Sequence, residues 1–322
     1  MLNRKIFVVV AVLVSVIVFP ASPLAQVSTG PDFSKTYDQM VGTRFRDCIG
    51  CPEMTVVPGG AYIEGARQYM ELVGKPHPAN IDAGFAVAVY DVTRKEYAQF
   101  VRETHRTGGP GCQFLDGAYW REDRRLSWEH PGFTQGDNYP VVCVSYHDAT
   151  DYIDWLNSKL PSESKSRFGI YRLPTGHEWE FVARRGATRT YDYFGAGAIR
   201  LDTANFGAEE CFPCGGAVRG HDRWLYTSPV GSFAPNAFGL YDIAGNVWQM
   251  TTECADDGYG EVLHLQPLPT GECQLHGVRG GSFNDVPGLW NWMEIRGAFG
   301  WETRNNANGF RVFRSLIADG GR

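Results

Sequence analysis

The stretch Pro235-Asn236-Ala237-Phe238-Gly239-Leu240-Tyr241-Asp242, continuing to Gly245-Asn246-Val247-Trp248, decides how this chain is read. It is a long loop in which Gly239 suits a tight turn and close backbone packing, as do Gly59, Gly60, Gly280 and Gly281 elsewhere. Arg172 and Arg311 read as scaffolding, each with a fork of donors for loop carbonyls or carboxylates. Around these loops three helix starts stand out. Thr93 with Glu96, Ser145 with Asp148 and Thr175 with Glu178 each form a capping box ahead of apolar residues at helical spacing. Tyr97, Phe100 and Val101 form the first apolar face, Ala149, Tyr152, Ile153 and Leu156 the second, and Trp179, Val182 and Ala183 the third. Gly186 is the expected stop of the third helix. Short strands are expected at Met54–Val57, Ala61–Ile63, Ala86–Val89, Val141–Val144, Gly277–Arg279 and Gly309–Phe313. Few helices, many short strands and much loop describe an irregular α+β domain with low regular secondary structure.

The first 25 residues read as a signal peptide. Arg4 and Lys5 precede the apolar run Ile6–Phe19, and Pro20–Ala25 suits a cleavage site after Ala25, with Ala21 as the alternative. Residues 26–47 form an N-terminal extension, 48–317 the domain and 318–322 a tail. Export to the periplasm or medium is therefore expected, with no membrane span once the leader is cleaved, because no later run approaches the roughly 18 apolar residues a span needs. The net charge is −6, and losing the leader, which carries two basic residues and no acid, makes it more negative. With no basic cluster among aromatics, nucleic acid is not an expected partner.

Eight cysteines in an exported chain point to disulfides. Cys254 and Cys273 flank one loop, and Cys112 and Cys143 form a second candidate staple. Cys48-x-x-Cys51 and Cys211-x-x-Cys214 have redox or zinc spacing, although the two pairs lie too far apart for a zinc ribbon, and disulfides are the leading reading.

Eight blocks in order now carry a resemblance. Pro58–Gly65, Asp91-Val92-Thr93 with Tyr97, Tyr139–Val142 and Tyr171–Thr175 with Glu178-Trp179-Glu180 come first. Ala204-Asn205, the 235–248 stretch, Arg279-Gly280-Gly281-Ser282-Phe283 and Gly309–Val312 follow. Over about residues 48–315 the chain resembles the formylglycine-generating-enzyme (sulfatase-modifying factor) family. The resemblance implies a variant of the C-type-lectin fold with bound structural calcium. One calcium set would be Asn205, Asp222 and the carbonyls of Phe206 and Trp224; a second would be Asp242, Gln249 and the carbonyls of Gly245 and Val247. Gln249 replaces the usual glutamate, so Asp242 alone supplies charge there.

The family's enzymes oxidise a cysteine with oxygen and a copper ion held by two cysteines just after the Gly-Gly-Ser motif. Here those positions correspond to Asp285 and Trp290, and no cysteine follows Cys273. Copper(I) needs thiolates, so a copper oxidase mechanism is not expected. What remains is a pocket at Trp248, Ser282, Asp285 and Trp290, with aromatic side chains close in sequence at Trp292, Phe299 and Trp301. The expected function is an exported accessory or binding module for a protein or peptide partner, without formylglycine generation. The alternative is an extracytoplasmic oxidase or maturation enzyme with a changed mechanism, as the pyoverdine-chromophore and nitrite-reductase accessory members suggest.

Overall fold

A computed structural model describes residues 28–29, 35, 37–65, 75–106, 108–116, 119–184, 202–207, 222–255, 265–267, 275–285 and 296–316. In chain order the elements begin with β1 (Ser28–Thr29), α1 (Tyr37–Met40), β2 (Arg44–Arg46), β3 (Met54–Val57), β4 (Gly60–Glu64), β5 (His77–Ile81) and β6 (Phe85–Ala88). Then come α2 (Arg94–Thr104), β7 (Cys112–Asp116), β8 (Tyr119–Asp123), α3 (Tyr146–Ser158), α4 (Ser162–Phe168), β9 (Tyr171–Arg172) and α5 (Gly176–Arg184). The last third holds β10 (Trp248–Ala255), β11 (Leu265–Pro267), β12 (Leu275–Arg279), β13 (Arg296–Gly300), β14 (Asn308–Gly309) and β15 (Phe313–Ser315).

Two sheets organise the described residues. One runs β1-β2-β3-β6-β15-β9; the other runs β11-β10-β12-β13, with β14 paired to β10. The hairpins β4-β5 and β7-β8 stand apart. Every residue of β3 and β6 is buried, because cores lie on both faces of the first sheet. Successive side chains alternate between faces. Met54, Val56, Ala86 and Ala88 join one core with Tyr97, Phe100, Tyr152 and Leu156 of α2 and α3. Val57, Phe85, Val87 and Phe313 join the other with Trp179, Phe181 and Val182 of α5 and with the loop residues Phe206, Leu240 and Ile243. The loops therefore form one wall of a core, and this is why a domain so poor in regular structure still buries an interior.

All three capping boxes form. Glu96 N–H donates to Thr93 Oγ1 at 3.3 Å while Thr93 N–H donates to Glu96 Oε2 at 2.8 Å. Ser145 and Asp148, and Thr175 and Glu178, repeat the exchange. Thr93→Ala is expected to cost about 1 kcal/mol by urea unfolding, and no measurable loss would contradict this account of where α2 begins. The expected stop Gly186 lies outside the described residues.

Val141–Val144 is not a strand. Cys143 takes φ +58, which interrupts any ladder, and the run is instead a buried connection whose Val141 and Cys143 amides donate to Val92 O and Asn305 O. The short helix α4 and the hairpin β7-β8 were not anticipated. Strand β2 pairs with β3, so part of the N-terminal extension is built into the sheet. Among the described residues no helix is long and apolar enough to cross a membrane.

Candidate functional site

Three loops, 202–207, 242–247 and 280–285, meet at the end of β10 and are tied by their backbones. Gly245 N–H donates to Gly280 O at 2.9 Å, Phe283 N–H to Asn246 O at 3.0 Å, Asn246 N–H to Asn205 O at 2.8 Å and Gly207 N–H to Asp285 O at 2.9 Å. Gly280 sits at φ +98, where an added Cβ would lie 2.8 Å from Ile243 O and 3.1 Å from the Trp179 ring. Only glycine permits this approach.

The geometry brings together three of the four expected pocket residues. Asp285 Oδ2 accepts from the Ser282 amide at 2.8 Å and lies 2.5 Å from Ser282 Oγ. The Trp248 side chain also bonds Asp285, and its only donor is the indole N–H. Ser282 and Trp248 are buried, whereas Asn284 and Asp285 stay partly open. Burial pushes the Asp285 carboxyl up to about 6, against the pull of the Ser282 and Trp248 hydrogen bonds. The result is a held carboxyl that gains or loses its proton near neutrality, and such a group can bind, donate or accept a hydrogen bond. Trp290, the fourth expected residue, lies outside the described residues, as does Trp292.

The Sulfatase-modifying factor enzyme 1-like domain family, FGE-sulfatase, matches residues 41–316. The chain belongs to this family. The formylglycine-generating enzyme of Mycobacterium tuberculosis is 29% identical over 240 residues, covering 62% of this chain and 73% of that one. A Bos taurus relative named inactive C-alpha-formylglycine-generating enzyme 2 is 30% identical over 234 residues, covering 62% and 69%. Among solved structures, PvdO from Pseudomonas aeruginosa is 29% identical with a TM-score of 0.68, covering 86% of this chain and 99% of that one.

Within this sulfatase-modifying-factor fold, Asn205, Phe206, Asp222 and Trp224 of the first oxygen set all lie among the described residues. Asp222 accepts from the Phe206 amide at 3.2 Å and the Trp224 amide at 2.7 Å, which draws the backbone at both residues around one carboxylate. Asn205 is buried, and its Oδ1 has no hydrogen-bond partner. An orphaned buried amide oxygen is the kind of donor a hard cation such as calcium takes. Asn246, which the sequence reading did not single out, organises this corner at φ +64. Its side chain accepts from the Ser228 amide at 2.9 Å and donates to Ser228 O at 3.2 Å. The Gly-Asn pair in the 245–248 stretch was the available signal.

The second set is arranged differently. Gln249 Oε1 accepts from Trp179 Nε1 at 2.9 Å and Arg311 Nε at 3.1 Å, while its amide donates to Asp242 O at 2.8 Å. Arg311 also donates to Ala88 O and Tyr241 O and pairs with buried Asp91 at 3.2 Å. The guanidinium supplies the positive charge in this set, and Gln249 has no oxygen to spare, so these residues do not fit a cation.

Two carboxyls share this one guanidinium. Neither Asp91 oxygen makes a hydrogen bond. Burial raises Asp91 to about 8, with Arg311 pulling down and Asp242 pushing up. Burial likewise raises Asp242 to about 6, opposed by the Gly231 amide and Arg311. The folded state thus keeps protons that unfolded aspartates, near 3.8, release. Stability from these groups is fully present below about pH 4 and falls as pH rises through 6 and 8, by about 1.4 kcal/mol per pH unit for each proton retained. Asp91→Asn is expected to flatten this slope between pH 6 and 8 in denaturant titrations. An unchanged slope would show that Asp91 is already ionised there.

The cysteines divide. Cys48–Cys51 and Cys112–Cys143 are disulfides. Cys254 in β10 is disulfide-bonded to a partner outside the described residues. Cys211, Cys214 and Cys273 also lie outside them.

Proposed function

We propose that this sulfatase-modifying-factor protein is an exported binding or accessory module for a peptide or protein-derived ligand, and that it does not generate formylglycine through a copper–thiolate centre. The observation that carries the reading is Asp285. Where the family resemblance puts the first thiolate after Gly280-Gly281-Ser282, this chain has a carboxyl clasped by Ser282 and Trp248, an oxygen donor poorly matched to copper(I). A relative named inactive C-alpha-formylglycine-generating enzyme 2 supports only the part of the reading that concerns formylglycine generation. Incubating the protein with copper(I), oxygen and a cysteine-containing sulfatase-type peptide, then analysing the peptide by mass spectrometry, tests the reading. Unchanged cysteine is expected, and conversion to the aldehyde would overturn it.

Calcium belongs to the proposal as a loop clamp at Asn205 and Asp222, with the Phe206 and Trp224 carbonyls. A chelator is expected to lower the melting temperature. Calcium a hundredfold above its Kd adds about 3 kcal/mol, and Asn205→Ala should abolish that calcium-dependent shift. If the wild-type protein melts identically with calcium and with chelator, the clamp is absent.

One observation favours a second reading, an enzyme of changed mechanism. A carboxyl that burial raises to about 6, on a residue that stays partly open, is tuned for proton transfer at neutral pH. A turnover that follows an ionisation near pH 6 and disappears in Asp285→Asn would establish it.

A further inference from the structure

Beside the Asp285 pocket lies a group of aromatic rings that the fold does not use as core alone. Phe133 and Tyr226 stack in parallel, with centroids 4.5 Å apart and planes within 7°. Both meet Phe283 edge-on, at 5.6 and 5.9 Å. Phe283 is buried and directly precedes Asn284 and Asp285, which are partly open. Tyr226 remains 43% exposed and its neighbour Leu225 57% exposed, and Phe133 is half-buried.

Exposed aromatic rings on a loose loop would mean little. Here the loop is pinned from beneath. Tyr226 O accepts from the Asn205 side chain at 2.9 Å, Thr227 Oγ1 accepts from Gln135 Nε2 at 2.8 Å, and Ser228 exchanges two hydrogen bonds with Asn246. Gln135 also donates to Pro140 O at 3.0 Å, so the loop carrying Phe133 is tied to the one carrying Tyr226. The pair is therefore fixed before any ligand arrives, which removes the ordering cost that weakens flexible aromatic contacts. A rigid, half-open aromatic pair contiguous with a polar, proton-exchanging group has the composition of a binding pocket: an apolar wall that supplies contact area and a polar group that sets orientation.

We propose that Phe133 and Tyr226, backed by Phe283, form a ledge that takes an aromatic side chain of the ligand next to the group presented to Asp285. This deepens the binding role proposed above and rests on it for the identity of the pocket. A third ring adds to such a pair by offset stacking or edge-on contact, with a preference over an aliphatic chain of about 0.5–1.5 kcal/mol, or roughly two- to twelvefold.

The test uses the full mature chain and three capped peptides, acetyl-Gly-Tyr-Gly-amide and its Leu and Lys counterparts, titrated while backbone amide NMR shifts are followed. The tyrosine peptide is expected to shift the amides of Phe133, Tyr226, Phe283 and Asn284, and to bind at least twofold more tightly than the leucine peptide. Tyr226→Ala should erase that preference, and Tyr226→Phe, which keeps the ring, should preserve it. Equal binding of tyrosine and leucine peptides, shifts that map elsewhere, or no saturable shift with any of the three would each overturn the ledge. The same preparation assayed for formylglycine formation separates the two ideas. Aldehyde formation with intact tyrosine preference sinks the accessory reading and leaves the ledge standing, whereas lost preference with no aldehyde does the reverse.

Discussion

Glu180→Gln is expected to lower the unfolding free energy by about 3–5 kcal/mol, the scale for breaking a buried ion pair by removing one partner. Glu180 lies on α5 with its side chain almost fully enclosed, accepting from Arg184 Nε at 2.8 Å and the Gly65 amide at 2.9 Å and pairing with Arg279 at 3.4 Å. Arg279 in turn reaches Glu253 at 3.4 Å, and Arg296 pairs with Glu64 at 3.1 Å. Three carboxylates and three guanidiniums thus balance in the interior where α5, β4, β10, β12 and β13 meet. Burial alone would raise the Glu64 carboxyl, yet the His177 hydrogen bond and the charges of His177, Arg296 and Arg279 hold it below its ordinary value. Deleting one negative charge leaves a guanidinium without compensation in a dry site, and a glutamine cannot restore it. Urea unfolding reads the loss directly. A change under about 1 kcal/mol would mean that water or a rearranged partner reaches the network.

Breaking the Cys112–Cys143 bridge by the double substitution Cys112→Ala, Cys143→Ala is expected to cost about 3–4 kcal/mol, from the chain entropy released when a loop of this size is opened. The two cysteines are 31 positions apart. Their bridge joins β7 to the buried connection whose Cys143 amide donates to Asn305 O. Cys48 and Cys51 are only three positions apart, and opening that short turn should cost nearer 2 kcal/mol. Comparing the two double variants by chemical denaturation in the same buffer checks the ordering. Equal losses would show that the longer bridge acts on the folded state rather than on the unfolded chain.

How much of this was written in the sequence depends on the range of each interaction. The helices were legible because a capping box is local: Thr93, Ser145 and Thr175 each name their partner three residues on. Strands β3 and β6 were legible as short apolar runs, since both their faces are covered. Val141–Val144 has the same composition and is not a strand, because the left-handed backbone at Cys143 has no signature in side-chain type. The hairpin β7-β8 escaped notice because Tyr119 and Trp120 are exposed, so its pattern does not alternate between buried and open.

The site was legible only through the family resemblance, which brought Trp248, Ser282 and Asp285 to one place without indicating that the carboxyl is held by the other two. Gln249 shows the limit of that transfer. Its position came from the motif, whereas its partners Trp179 and Arg311 stand 70 and 62 positions away, and they decide what its oxygen can do. Phe133, Tyr226 and Phe283 come from three separate loops and share no pattern that a linear reading could detect.

Elemental analysis after anaerobic loading with copper(I) and calcium, followed by dialysis, tests most directly whether the Asp285 pocket replaces a thiolate copper centre. Calcium is expected to stay near one ion per chain and copper to be lost. Stoichiometric copper surviving dialysis would contradict it, and would place a soft-metal site in this protein that Asp285, Ser282 and Trp248 cannot provide.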